Sequence, residues 1–172
     1  VTGGARGITA HMVRPLVDRS QPRLHLLGRT PLPDAQEQDR LRTLNEADVE
    51  DEKKRYLTEM KSQPGFTPKA WQARCATLDK HLEMLGNIDV LRAGGSEVHY
   101  HALDLSDRTA VAQALTKARS HGPLQGILHG AGVEVAKPLD RKSDELYQAT
   151  FGGKVDGLVH LLAETVADPL TH

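Results

Sequence analysis

Apolar positions along this chain follow two periods, and the changes from one to the other mark its elements. From Ile8 to Arg19 they recur at helical spacing, and Ile8, Met12, Val13, Leu16 and Val17 form the predicted buried stripe of a first helix. Pro15 lies inside this stretch and is expected to kink or shorten the helix, because it removes one backbone hydrogen bond. Arg23 to Leu27 reads as a strand bounded by Pro22 and Gly28. Glu97 to Leu105 and Gln125 to His129 read as two further strands. The helix between them, Asp107 to Arg119, turns Val111, Ala114, Leu115 and Ala118 inward. A last helix opens at Ser143 or Asp144, with Phe151, Val155, Leu158, Val159 and Leu162 as its expected buried stripe. Strands alternating with helices predict an α/β domain with a doubly wound parallel sheet.

One segment does not fit that alternation. Asp34 to Gly86 reads as a helical insertion. Between Asp34 and Ser62 there are nine acidic and six basic residues, with a thin apolar stripe at Leu41, Leu44, Tyr56, Leu57 and Met60. Asp34 and Glu37 have capping-box spacing. Ser62-Gln63-Pro64-Gly65 breaks the chain, and a second helix restarts with Thr67 as N-cap and Pro68 in its first turn. Its apolar positions, Trp71, Cys75, Leu78, Leu82 and Leu85, follow a heptad seam. Two readings stand side by side: a hairpin that packs on itself or on the domain, or a surface for a partner domain or subunit.

The opening of the chain carries the chemistry. A strand at Val1-Thr2 runs into Gly3-Gly4-Ala5-Arg6-Gly7, and the first helix follows. Such a turn places backbone N–H groups at a helix N-terminus, where the helix dipole favours a pyrophosphate. Twenty-two residues after Gly7, the second strand ends in Gly28-Arg29-Thr30. Dinucleotide folds that take NAD usually carry an acidic residue there, whereas Arg suits the 2′-phosphate of NADP. Arg6 reads either as a second phosphate ligand or as a solvated loop charge.

With these residues in hand, the chain resembles a short-chain dehydrogenase/reductase. More narrowly it resembles the ketoreductase domain of multidomain polyketide and polyunsaturated-fatty-acid synthases. The matching pieces are Thr2-Gly3-Gly4-Ala5-Arg6-Gly7-Ile8, Leu27-Gly28-Arg29-Thr30, Ala102-Leu103-Asp104-Leu105, Ile127-Leu128-His129-Gly130-Ala131-Gly132-Val133 and Lys154-Val155-Asp156-Gly157. They fall in family order. Thr9 replaces the third glycine of the usual turn, which is expected to loosen one helix–strand contact.

The resemblance implies a Rossmann-like fold that binds NADPH. It implies that Thr2, Gly3, Gly4, Arg6, Gly7 and Ile8 form the phosphate turn, with Gly28, Arg29 and Thr30 at the ribose. Asp104 and Leu105 would lie at the adenine edge, although Asp104 also suits a helix cap. His129, Gly130, Ala131 and Gly132 would pass beside the ribose, with His129 holding backbone rather than reacting. Lys154 would join a catalytic Ser and Tyr that the family carries on later elements, beyond His172; its alternative is a surface lysine. The implied substrate is a β-ketoacyl chain bound to an acyl carrier protein, and the implied partners are other synthase domains. A non-catalytic dinucleotide-binding or scaffold module, and a stand-alone reductase of small carbonyl compounds, are the other readings. Similar helical insertions at this place are also what the resemblance implies. With no initiating Met, residues 1–172 are expected to be part of a longer ketoreductase domain.

Composition closes off several other functions. A net charge of −1 gives no field to recruit nucleic acid, and six aromatic residues do not make a base-stacking platform. Cys75 is the single cysteine, so no disulfide framework is expected, which fits a reducing cytoplasm. No apolar run is long enough to span a bilayer. His99 and His101 share one face of a strand, but no third ligand is spaced along the sequence to complete a zinc site, so no metal is expected.

Overall fold

Two parallel strands, β1 (Leu24–Gly28) and β2 (Val98–Ala102), pair in register from Leu24 opposite Val98 to Gly28 opposite Ala102. Thr2 extends the sheet on the other side of β1, forming single parallel bridges to Leu27 and to His129. The order across the sheet is therefore β2, β1, Thr2, His129, the arrangement that begins a 3-2-1-4 doubly wound sheet. This computed structural model describes residues 1–133 and 136–171.

The expected first and fourth strands are each reduced to one bridging residue. Gly3 and Gly4 turn the chain away directly after Thr2, and Pro123 and Gly126 interrupt the approach to His129. The pairing is still made, because Thr2 N–H donates to Leu128 O across 2.9 Å and Gly130 N–H to Thr2 O across 3.1 Å.

The chain divides into two compact units, Val1–Pro31 with Leu91–His172, and Leu32–Val90. In the first unit, α1 (Gly7–Ser20) runs without a break through Pro15. Its inward face is Ala10, Val13 and Val17, whereas Ile8, Met12 and Leu16 are exposed. The predicted stripe was thus right at two positions and wrong at three. Ala10 takes the inner position because small residues allow close approach to the sheet. Helix α5 (Arg108–Arg119) buries Val111, Ala114, Leu115 and Ala118 as the spacing predicts. With Leu27, Leu105 and Leu161, three of these (Val111, Ala114 and Leu115) form one apolar cluster.

The last helix departs most from expectation. It is α6 (Asp144–Phe151), a π turn at Gly152–Asp156, and α7 (Gly157–Glu164). Phe151, Val155, Val159 and Leu162 are exposed, and Leu158 is half-buried. The π turn holds one extra residue, which rotates everything after it relative to an unbroken 3.6-residue repeat. Gly157, Leu161 and Thr165 therefore take the inward positions.

The second unit is helical. Where one helix was expected before Ser62 there are two, α2 (Ala35–Arg42) and α3 (Glu46–Lys61). Asn45 starts the second, with a full capping box to Asp48. Asp34 caps the first by accepting from Glu37 N–H across 2.8 Å. Helix α4 (Pro68–Ala93) is continuous over 26 residues. Within this unit Cys75, Leu78 and Leu85 of the heptad seam pack with Leu41 and Tyr56, so the seam closes on its own hairpin. Burial raises the pKa of the Cys75 thiol. Among the described residues no helix is long and apolar enough to cross a membrane.

Candidate functional site

The turn after Thr2 follows from its glycines. Gly3 has φ +72°, and a Cβ there would meet Gly130 O at 2.9 Å, so the turn and the 130–132 loop touch backbone to backbone. Gly7 opens α1 with no atom within 4 Å of a Cβ built on it. Arg6, the N-cap residue, forms no side-chain cap bond, and the first turn carries no acidic residue. Open space beside a helix N-terminus with no acidic side chain fits the phosphates of a dinucleotide. Ile8, assigned to the same turn, points outward and is 80% exposed.

Thr2 latches this turn to the fourth strand position. Its side chain is buried; Oγ1 accepts from Ala131 N–H across 3.1 Å and lies 2.9 Å from His129 Nδ1. On the other side of the ring, His129 Nε2 lies 3.0 Å from the carbonyl oxygen of Lys154. His129 is therefore a bridge between Thr2 and the π turn. Thr9 does not loosen its contact, contrary to expectation. Its hydroxyl donates to Gly130 O across 3.3 Å, and its side chain fills the space that a Cβ on Gly130 would need.

Arg29 follows the last residue of β1 and is exposed. The N–H and hydroxyl of Ser106, and to a lesser extent the charge of Arg29, hold Asp104 below the ordinary carboxylate range. Both Ser106 groups donate to Asp104 Oδ1, at 2.9 and 2.8 Å. The side-chain cap of α5 is Asp107, which accepts from Thr109 and Ala110 N–H; Asp104, which also suited a helix cap, accepts from Ser106 instead. Leu105 is buried in the apolar cluster beneath this edge.

Sequence reasoning gave Tyr100 no part in the site. Its hydroxyl donates to Thr30 O across 2.7 Å and occupies the space beside Gly28, so it holds the backbone on either side of Arg29. Burial raises its pKa to about 12, with the Arg6 charge opposing that shift. The signal was an aromatic residue on one strand diagonal to a glycine on its neighbour.

Lys154 lies on the π turn and is exposed. Its aliphatic stem passes over Gly132, where a Cβ would come within 2.6 Å of Lys154 Cε. The neighbouring glycines make this approach possible: Gly153 abuts Gly132, and Gly157 packs on Leu105. The structure thus brings together Thr2 to Gly7, His129 to Gly132 and Lys154, with Arg29 beside Asp104 along the same carboxyl ends of the strands.

The strand register gathers histidines that sequence spacing along one strand does not. His25 pairs with His99, and His25, His99 and His121 each offer a nitrogen within 4.8 Å of the others. This grouping was hidden because sequence spacing along one strand says nothing of its neighbour.

The KR domain family model matches residues 70–172. The chain is 37% identical over 81 residues to polyketide synthase GfsA of Streptomyces halstedii, a match covering 46% of this chain and 1% of that protein. It is 26% identical over 172 residues to a polyunsaturated fatty acid synthase chain of Thraustochytrium sp. (strain ATCC 26185 / S-3), covering 94% of this chain and 6% of that protein. The chain therefore spans a small fraction of these relatives' length. Among solved structures, the fold is similar to a ketoreductase domain from the bacillaene assembly line, with a TM-score of 0.65 and 24% identity, covering 98% of this chain and 30% of the other.

Proposed function

The chain belongs to the KR domain family, within the short-chain dehydrogenase/reductase superfamily, and on that premise we propose that it is the cofactor-binding part of an NADPH-dependent β-ketoacyl reductase. Its substrate would be an acyl chain tethered to a carrier protein, and its partners the other domains of a polyketide or fatty-acid synthase. The observation that carries this reading is topological. The glycine turn, Arg29, Asp104 and the 130–132 loop all leave the carboxyl ends of one parallel sheet, where open α/β folds bind ligands.

Bound NADPH supplies the hydride. The chain supplies position and charge. The N–H groups opening α1 would take the pyrophosphate, and Arg29 the 2′-phosphate, with Arg6 as a second cation. Thr2, His129 and Ala131 hold the loop that would border the ribose. Lys154, carried over Gly132, would lower the pKa of a neighbouring Tyr and assist proton delivery to the reduced oxygen.

Titrating NADPH and NADH into the protein tests the reading. NADPH is expected to bind more tightly, and Arg29→Ala to cut its affinity roughly tenfold or more, the worth of a charge-assisted phosphate contact. NADH affinity should be unchanged by that variant. Equal affinity for the two nucleotides in the unsubstituted protein would remove the assignment of Arg29.

A further inference from the structure

We propose that His25, His99 and His121 bind one divalent transition-metal ion of the zinc class, with His101 orienting the set from behind. The site lies at the amino ends of β1 and β2, at the opposite end of the strands from Arg29 and Asp104. It is therefore separate from the dinucleotide edge and rests on different residues.

Three features of the cluster point to a ligand. The first is convergence. Parallel pairing sets His25 against His99, and His121 arrives from the turn after α5, so three nitrogens lie within 4.8 Å of one another. The rings lie near-parallel, with His25–His99 centroids 4.8 Å apart and His99–His121 centroids 4.4 Å apart, so they must turn for their in-plane lone pairs to face one ion. The second is an orphaned atom: His121 Nδ1 is buried and has no hydrogen-bond partner among the described residues. Buried polar nitrogens are rarely left unpaired, and a metal bonded at Nδ1 would satisfy it.

The third is the outer shell. Metal-binding histidines usually give their other ring nitrogen to a carboxylate or a similar acceptor, which fixes tautomer and orientation. Glu97 Oε1 lies 2.8 Å from His99 Nε2, leaving Nδ1 of His99 to the metal. His25 Nδ1 lies 3.0 Å from His101 Nε2, and with the proton on His25 its Nε2 is left to the metal. Arg23 is paired with Glu97 at 2.6 Å and donates to the His121 carbonyl.

The fit is near rather than complete. Zinc at 2.0–2.1 Å from each nitrogen sets its ligands about 3.3–3.4 Å apart, so binding closes gaps of up to 4.8 Å by at most roughly 1.5 Å. Side-chain rotation on partly exposed rings supplies that movement. Water would complete the fourth position. A metal here would tie β1, β2 and the turn after α5 together, which is a structural role.

The test is titration of Zn²⁺ and Co²⁺ into the protein, free of any histidine tag and in a non-chelating buffer. One equivalent of Co²⁺ should bind with the visible absorption of a tetrahedral site, and Zn²⁺ should displace it. His99→Ala and His121→Ala should each weaken Zn²⁺ binding by at least about tenfold, and Glu97→Gln, which keeps the ligands, by roughly 10–100-fold. His11→Ala and His81→Ala should leave the affinity unchanged. Zn²⁺ should raise the melting temperature of the parent protein and not that of His99→Ala. If His121→Ala does not fold, His121→Asn keeps a polar side chain without an imidazole and should show the same loss. Absence of saturation at one equivalent, or parental affinity in the His99 and His121 variants, would overturn the proposal.

Discussion

His129 Nε2 lies 3.0 Å from the carbonyl oxygen of Lys154, and this contact fixes which nitrogen of the ring carries hydrogen. A carbonyl only accepts, so Nε2 is the N–H donor, and in the neutral ring Nδ1 is left as an acceptor. Thr2 then donates its hydroxyl hydrogen to Nδ1 and accepts from Ala131 N–H with the same oxygen. The chain of bonds has one direction, from Ala131 through Thr2 and His129 to Lys154. Thr2→Val breaks it at a buried position and should cost about 1–3 kcal/mol, the penalty of leaving buried groups unpaired. His129→Phe should cost a similar amount. Because both act on one network, the double variant should fall short of the sum by about 0.5 kcal/mol or more in urea unfolding. Strict additivity would mean that the two side chains do not act through each other.

Thr9 and Gly130 make a second coupled pair. A Cβ on Gly130 would sit 2.2 Å from Thr9 Oγ1 and 2.9 Å from Thr9 Cβ, so rotating the threonine cannot relieve the overlap. Gly130→Ala should therefore destabilise the protein by about 1–3 kcal/mol, the usual cost of overpacking. Thr9→Gly should rescue it, since it removes the three atoms nearest to that Cβ. A thermal melt of Gly130→Ala alone and combined with Thr9→Gly checks this. Failure of the rescue would place the strain in the backbone of the 130–132 loop instead.

What the sequence made legible were the elements whose cause is local. Gly3, Gly4 and Gly7 announce a turn, Asp34 a cap, and α5 its inward face, because each depends on a few neighbouring residues. Faces set by a neighbour were misread. Ile8, Met12 and Leu16 have helical spacing, but which side of α1 is inward depends on the sheet beneath it. The stripe at Val155, Val159 and Leu162 failed because the π turn at Gly152–Asp156 shifts the register, and no local pattern announces such a turn. Tyr100 beside Gly28, and His25 beside His99, were hidden for a related reason. Each pair exists only once β1 and β2 are set in register.

Asp168 and Arg119 give the protein a predictable acid sensitivity. Arg119 Nη2 lies 2.6 Å from Asp168 Oδ2 and Nε 2.9 Å from Oδ1, a forked pair with the carboxylate largely buried. The Arg119 bonds hold the pKa of Asp168 below its ordinary value of 3.8. A carboxylate lowered in the folded state stabilises the protein fully above its unfolded pKa. That contribution is lost as pH falls from about 4 through the folded value. Asp168→Asn should lower stability at pH 7 and flatten the dependence below pH 4. Guanidinium unfolding of both proteins at pH 7, 4 and 3 measures this. Parallel curves for the two would show that the pair does not link folding to protonation.

The helical unit should be separable from nucleotide binding. Every residue assigned to the nucleotide belongs to Val1–Pro31 or Leu91–His172, and the unit Leu32–Val90 has its own apolar cluster around Leu41, Tyr56, Cys75, Leu78 and Leu85. Leu41 is 1% exposed, so Leu41→Ala opens a cavity there and should destabilise that unit by about 2–5 kcal/mol. Hydrogen exchange should then speed up in α2, α3 and the Pro68–Leu85 part of α4, while the amides of β1 and β2 keep their protection. NADPH affinity should stay at the parental value. The stronger form of the test replaces Asp34 to Gly86 with a short Gly/Ser linker, since exchanging one surface connection for another changes loop-closure entropy only slightly. Retention of NADPH binding in that variant would show that the nucleotide edge folds without the hairpin. Loss of folding or binding would make the hairpin part of what holds that edge in place.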